Sequence, residues 1–341
     1  MENGSSAANL PRVGFSIGEP GGIGPQLLLQ FLAQEGWQES FIPIIFGHRR
    51  IIERWRGFCG ISTLRYHLIK SPTEAEPQKI NLIECTAQAD FTLGKPSGEG
   101  GYLAREAFRA SVQAAQSGNL SVLVTLPVDK STFFHETEFP YRGHTEYLRA
   151  ASPTPPLMMM VSENLRIAVL TEHIPLRAVH EHIHTEALRW AIETLNRSLR
   201  EDFAVASPRI AVLGLNPHAG DSGLIGTEEK EILAPLLTDF WRKGYYISGP
   251  FSPDGFFAGR LYRDTDAVLA LYHDQGLIPF KILAGWEGFQ YSAGLSFVRT
   301  APDHGVAYDK VGSAEVDSSS LQSAIWEGLA IARRRAYSLS A

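Results

Sequence analysis

Cysteine is scarce: Cys59 and Cys85 are the only two in 341 residues. They lack CxxC spacing and stand among apolar neighbours, which excludes a disulfide framework or a cysteine metal cage and predicts reduced thiols in a cytoplasmic protein. No apolar run reaches the roughly 18 residues of a membrane span, so no membrane partner is expected. Positive charge is also in deficit, with Lys plus Arg at 31 against Asp plus Glu at 37 and a net charge of -6. Without a broad basic surface for counterion release, nucleic acid is not an expected partner either. Residues 1–9 are small and polar, with no charged stretch leading into an apolar core, and predict no secretory signal. Missing too are GxGxxG, GKS or GKT, internal repeats and low-complexity tracts, which removes the dinucleotide fingerprint and the phosphate loop.

What is present is a globular composition, 44% hydrophobic and 20% charged, in a chain about twice the length of a typical domain. Two domains sharing a cleft are expected. Short β-branched runs precede helical stretches at 12–17 then 25–35, 166–171 then 185–200, and 209–215 then 227–243, with further runs at 121–126 and 267–272. That alternation predicts an α/β chain. Runs such as 167–170 and 210–214 are apolar throughout, as strands covered on both faces should be, so the sheet is expected to be mostly parallel. Thr185 with Glu186, Thr227 with Glu228 and Glu229, and Ser319 mark helix starts, while Arg333, Arg334 and Arg335 sit where a helix macrodipole favours cations.

Chemistry gathers in five segments at expected strand ends, where ligands of open α/β sheets bind. Gly18-Glu19-Pro20-Gly21-Gly22-Ile23-Gly24-Pro25 is either an anion-binding turn aiming backbone N–H groups or a purely structural glycine turn. In Arg142-Gly143-His144-Thr145-Glu146 the hydroxyl of Thr145 is either a helix cap or a ligand group. The other three bring His173, His218 and His273, which are either three ligands of a divalent ion with open positions or three separately satisfied side chains. The cluster His180-Glu181-His182-Ile183-His184 precedes a helix start and is expected to be a solvated turn. Lys281 and Arg299 suit an anionic substrate, the guanidinium by a bidentate grip and the ammonium as a point charge.

In this order, and together with Leu215-Asn216-Pro217-His218-Ala219-Gly220, Gly226-Thr227-Glu228-Glu229, Tyr272-His273-Asp274-Gln275-Gly276 and Asp303-His304-Gly305, the segments resemble the 4-hydroxythreonine-4-phosphate dehydrogenases of pyridoxal phosphate biosynthesis. The resemblance implies a two-domain isocitrate/isopropylmalate dehydrogenase-like fold with the active-site cleft between domains, here 11–130 plus 300–341 and 131–299. It implies an NAD(P)-dependent oxidation of 4-phosphooxy-threonine followed by decarboxylation, with one divalent metal (Zn, Mg or Co) on His173, His218 and His273. Substrate binding would fall to His144, Thr145, Lys281, Gln290 and Arg299, and the general base to Lys281 or Asp254. The dinucleotide would lie near Leu295, Arg299, Asp303 and His304. A homodimer is implied as well, with the active site at the subunit interface and His273 lent across it. Gln290 stands where the family usually has Asn, and Leu126 and Asp129 replace a small residue and His or Asn. These departures leave open another four-carbon acid phosphate, of the erythronate- or threonate-4-phosphate type; a metal-dependent phosphatase is the more remote alternative.

Overall fold

The structure, a computed structural model, describes residues 10–61, 63–313 and 316–340. The chain divides into two compact units, Met1–Pro153 with Leu295–Ala332, and Thr154–Gly294 with Arg333–Ala341. In the first, β1 (Arg12–Ser16), α1 (Ile23–Leu32), β2 (Ile42–Gly47), α2 (Arg49–Cys59), β3 (Tyr66–Leu68), β4 (Ile80–Glu84), α3 (Gly98–Gln116) and β5 (Val122–Thr125) are followed by α4 (Lys130–Phe133) and α5 (His144–Ala151). The second runs through β6 (Leu157–Val161), β7 (Arg166–Thr171), α6 (Thr185–Glu201), β8 (Arg209–Leu213), α7 (Ala234–Arg242), β9 (Tyr246–Phe251), α8 (Pro253–Ala258), β10 (Ala267–Tyr272), α9 (His273–Ala284) and β11 (Phe289–Ala293). The chain then returns to the first unit with β12 (Val298–Pro302) and begins α10 (Ser319–Ser340) there.

In the first unit the strand order is β3-β4-β2-β1-β5-β12, and its ladders are parallel. The apolar runs explain why: Phe15 of β1, Ile44 and Ile45 of β2 and Leu123 and Val124 of β5 are wholly buried, so helices must cover both faces. Each such side chain stabilises the fold by roughly 1.5–3 kcal/mol. Segment 131–153, grouped with the second domain in the sequence reading, clusters with the first unit instead. Aromatic packing accounts for this, since Phe133 and Tyr147 lie 6.0 and 5.2 Å from Phe108 of α3.

The second unit has the order β11-β6-β7-β10-β8-β9 and is mixed, with β6 antiparallel to both β11 and β7. Its helix α6 begins at Thr185 as expected, but the capping acceptor is the His184 ring, which receives the Ala187 N–H at 3.3 Å. The expected helix over 227–243 opens instead with a π-helical turn, Glu229–Leu233, before α7. Residues 333–335 do more than face a macrodipole. Arg335 Nε donates to Asp202 Oδ1 at 2.7 Å and its Nη2 to the Tyr291 hydroxyl at 2.9 Å, while Arg334 donates to the Asp202 carbonyl at 2.9 Å.

Candidate active site

In the second unit β7, β10 and β8 are parallel neighbours, and Thr171 is in register with Tyr272. Their carboxyl ends share one edge of the sheet, the edge at which such sheets bind ligands. His173 follows β7, His273 is the first residue of α9 directly after β10, and His218 lies in the loop after β8. The His173 and His273 rings have centroids 5.7 Å apart. His273 Nδ1 lies 2.6 Å from Asp274 Oδ1, so in the neutral ring the proton sits on Nδ1 and the Nε2 lone pair is left for a ligand.

His218 is mounted on strained backbone. Residues 218–222 have φ values of 54, 50, 79, 42 and 59°, and only Gly220 among them lacks a side chain. A left-handed L-residue costs roughly 1–2 kcal/mol, so surrounding contacts must hold the loop. Asn216 supplies them. Its backbone N–H donates to Glu229 Oε1 at 2.7 Å, and its Nδ2 to Glu228 Oε2 at 2.7 Å and Glu229 Oε2 at 3.0 Å. Asp254, at the start of α8, is held below the usual carboxylate range by the Ser252 hydroxyl, then by the Gly255 N–H, with His218 adding to the effect.

The donor chemistry of three imidazoles at one sheet edge suits a zinc-like ion. Within one chain, however, no group of three or more His, Cys, Asp or Glu side chains converges as a metal site among the described residues. The structure brings together His173 with His273, and His218 with Asp254. Lys281 is exposed on α9, about 12 Å along the helix axis from His273 at 1.5 Å per residue. Gln290 is partly exposed on β11, opposite Met160.

The first unit holds a second constellation. Arg299 on β12 is 1% exposed, and its Nε and Nη2 donate to Thr125 Oγ1, at the end of β5, at 3.0 and 2.5 Å. Nη2 also faces His144 Nδ1 at 3.4 Å. The His144 ring lies 4.5 Å from Phe108 and 5.5 Å from Phe133. Burial, and then Arg299, hold its pKa well below the usual histidine value, so the ring is neutral. With Nδ1 accepting from Arg299, the hydrogen sits on Nε2, which is buried and has no protein partner. Such a donor beside a fixed guanidinium is suited to an anionic oxygen. Thr145, 9% exposed, is not the helix cap: Gly143 occupies that position, and Glu146 reaches back to accept the Arg142 N–H at 2.8 Å.

Of the residues expected near a dinucleotide, Leu295 and Arg299 are buried, whereas Asp303 and His304 are partly exposed. His304 Nδ1 donates to the Gly305 carbonyl at 3.0 Å, leaving Nε2 as a buried acceptor without a protein partner. The glycine-rich loop resolves in favour of packing. A Cβ on Gly18, where φ is +66°, would lie 2.4 Å from the Pro127 carbonyl oxygen, and one on Gly22 would meet Val306. The Gly21, Gly22 and Ile23 N–H groups are taken by Glu19 Oε1, the Glu19 carbonyl and the Val306 carbonyl, so these donors do not await an anion. Glu19 itself is 1% exposed, and burial, with Asp129 adding to it, raises its pKa to about 7.

The histidine cluster at 180–184 is an exposed turn, yet His180 Nε2 lies 3.1 Å from Glu228 Oε1. Sequence reasoning overlooked Thr125, Glu19 and the Asn216–Glu229 contact. Only Thr125 left a signal, as a hydroxyl closing an otherwise apolar strand.

Residues 39–327 match the family described as "Pyridoxal phosphate biosynthetic protein PdxA". The chain belongs to that family. It is 36% identical over 330 residues to a 4-hydroxythreonine-4-phosphate dehydrogenase of Bacteroides thetaiotaomicron, covering 96% of this chain and 90% of that one. A relative of the same name from Aquifex aeolicus is 36% identical over 299 residues, 87% of this chain and 91% of its own. The crystal structure of the Klebsiella pneumoniae 4-hydroxythreonine-4-phosphate dehydrogenase superposes with a TM-score of 0.78 at 31% identity, covering 97% of this chain and 99% of that one. PdxA membership makes the chain an oxidoreductase with the α/β dehydrogenase fold of these relatives, and no described helix is long and apolar enough to cross a membrane.

Proposed function

We propose that this chain oxidises the secondary alcohol of 4-phosphooxy-L-threonine with NAD or NADP, giving 2-amino-3-oxo-4-phosphooxybutanoate, which loses carbon dioxide to leave 3-amino-2-oxopropyl phosphate. The observation that carries this reading is the buried Arg299–Thr125–His144 set, a fixed cation beside an N–H donor with no protein partner. Arg299 and His144 bind an anionic end of the substrate, with Thr145 beside them; the family resemblance would add Gln290 and Lys281 to substrate binding. Because these donors are set before binding, little reorganisation is left to the reaction. Asp254, ionised and beside His218, takes the hydroxyl proton.

His173, His218 and His273 would hold the divalent ion, which when bound polarises the reacting oxygen and steadies negative charge formed on it. Within one chain His173 and His273 lie side by side but the three do not converge among the described residues; the family resemblance implies a homodimer in which His273 serves the other protomer's site. Ile278, Ile282 and Leu283 on α9, with Trp286 just past its end, are 57, 76, 46 and 73% exposed, apolar surface on and beside the helix that His273 begins. Asp303 and His304 would hold NAD(P), which supplies the hydride acceptor; the His304 Nε2 lone pair offers it a buried acceptor. NADH formed from 4-phosphooxy-threonine, measured with and without chelator, tests the reading, and phosphate release without NADH would favour a phosphatase. A second reading keeps the chemistry and changes the substrate to an erythronate- or threonate-type 4-phosphate, favoured by the longer amide of Gln290.

A further inference from the structure

The loop that carries His218 is left-handed through residues 218–222, and local preference accounts for only part of it: Gly220 takes positive φ freely and His218 and Asp221 tolerate it better than most residues, but Ala219 and Ser222 do not, and five in succession need tertiary support. The explanation lies across the loop. Glu229 is 4% exposed, and its carboxylate accepts both the backbone N–H and the side-chain N–H of Asn216, the residue from which the loop departs. It also fills the inside of the turn: a Cβ on Gly220 would lie 2.6 Å from Glu229 Oε2, and one on Gly214 would lie 3.1 Å from Oε1. The π-helical turn begins at Glu229 itself, the kind of local irregularity that recurs at functional sites. Glu228, the next carboxylate, accepts from Asn216 Nδ2 and is flanked by His180.

A second brace joins the loop to the start of α9. Gln275, buried two residues past His273, accepts the Leu271 N–H at 2.7 Å and donates to the Gly214 carbonyl at 2.6 Å. The base of the His218 loop and the first turn carrying His273 are thereby held by one amide.

We propose that Glu229 is a positioning residue: its carboxylate, clasping Asn216 and seated under Gly220, holds residues 216–223 in the left-handed conformation that presents His218. This rests on the reading of His218 as a metal ligand. It assigns a role to a residue that touches neither substrate nor ion, and it makes the loop's strain part of the site.

The test uses the full-length chain with Zn²⁺ as the probe, comparing Glu229→Ala, Glu229→Gln and His218→Ala. In metal-free Glu229→Ala, amide exchange at 216–223 should rise while the melt stays cooperative and distant amides keep their protection. Zn²⁺ affinity should fall about 10–100-fold, the size typical of lost outer-sphere support. Glu229→Gln retains an acceptor for the Asn216 N–H and should recover part of both losses, and it carries the test alone if the alanine variant does not fold. Native exchange at 216–223 in the variants would overturn the proposal, as would accelerated exchange with unchanged Zn²⁺ affinity while His218→Ala loses the metal. Undiminished Zn²⁺ affinity in His218→Ala is a different failure, since it removes the ligand reading and the positioning role that depends on it.

Discussion

The two units solve different problems in different ways. In the first, the proposed anion grip would be built into the core: Arg299 is fixed by Thr125, and His144 is wedged among Phe108 and Phe133. In the second, the histidines ride on strand-end loops, and one of them sits on backbone that only tertiary contacts can hold. Buried donors need no help to keep their geometry, whereas loop-borne ligands depend on neighbours such as Asn216 and Glu229. Perturbing the first unit should therefore change recognition with the fold intact, and perturbing the second should change metal retention and local order.

The largest effect expected on the recognition side comes from the substrate. 4-Hydroxythreonine without its phosphate leaves the His144 Nε2 donor unanswered beside the Arg299 guanidinium, and kcat/KM should fall by roughly 10⁴ under saturating NAD, partly in kcat because remote binding energy positions the reacting end. Equal efficiency for the two compounds would remove the grip. Next in size is Thr125→Val, which takes away the acceptor of two Arg299 donors at a cost of about 1–3 kcal/mol, or roughly 10–100-fold in kcat/KM. Thr125→Ser should restore most of it, and failure of that rescue would mean that the strand, rather than the hydroxyl, matters.

Glu19 gives a comparison within the first unit. Its folded pKa, about 7, lies above the ordinary 4.5, so the folded state holds the proton more tightly than the unfolded one. The associated stability is present in full below pH 4.5 and is lost as pH rises through about 7, at most about 3 kcal/mol. Glu19→Gln should therefore be more stable than the parent at pH 8 and close to it at pH 5, as read from urea midpoints. A gap of the same size at both pH values would sink the assignment. Smallest of all is His182→Ala, in an exposed turn where the ring meets the Ala178 carbonyl. Stability should shift by less than about 0.5 kcal/mol, with metal content unaltered by elemental analysis.

Much of the fold was legible because it rests on local pattern. The apolar runs at 166–171 and 267–272 are β7 and β10 to the residue, and Thr185 does open α6. What stayed hidden depends on distant partners. Glu228 and Glu229 look like ordinary acids in a helix's first turn, and their contact with Asn216 accompanies a left-handed loop five residues long, more than local propensity alone sustains. Arg334 and Arg335 satisfy a helix-end rule, yet their partner Asp202 lies at the far end of another helix, α6. The glycines of 18–24 fit an anion turn equally well until Val306 and Pro127 are seen to occupy the space. The histidines and Arg299 were visible by type and order, but the acceptor that fixes Arg299, Thr125, comes from another strand.

The proposed reaction is the family's dehydrogenation, carried out on a phosphorylated hydroxy amino acid held by these residues. Its most direct test is NADH absorbance on mixing the purified chain with 4-phosphooxy-L-threonine and NAD, before and after chelation and after Zn²⁺, Mg²⁺ or Co²⁺ is restored. Steady NADH production that stops on chelation and returns with the ion is the expected result. No NADH under any of these conditions, with the protein folded and metal bound, would contradict it.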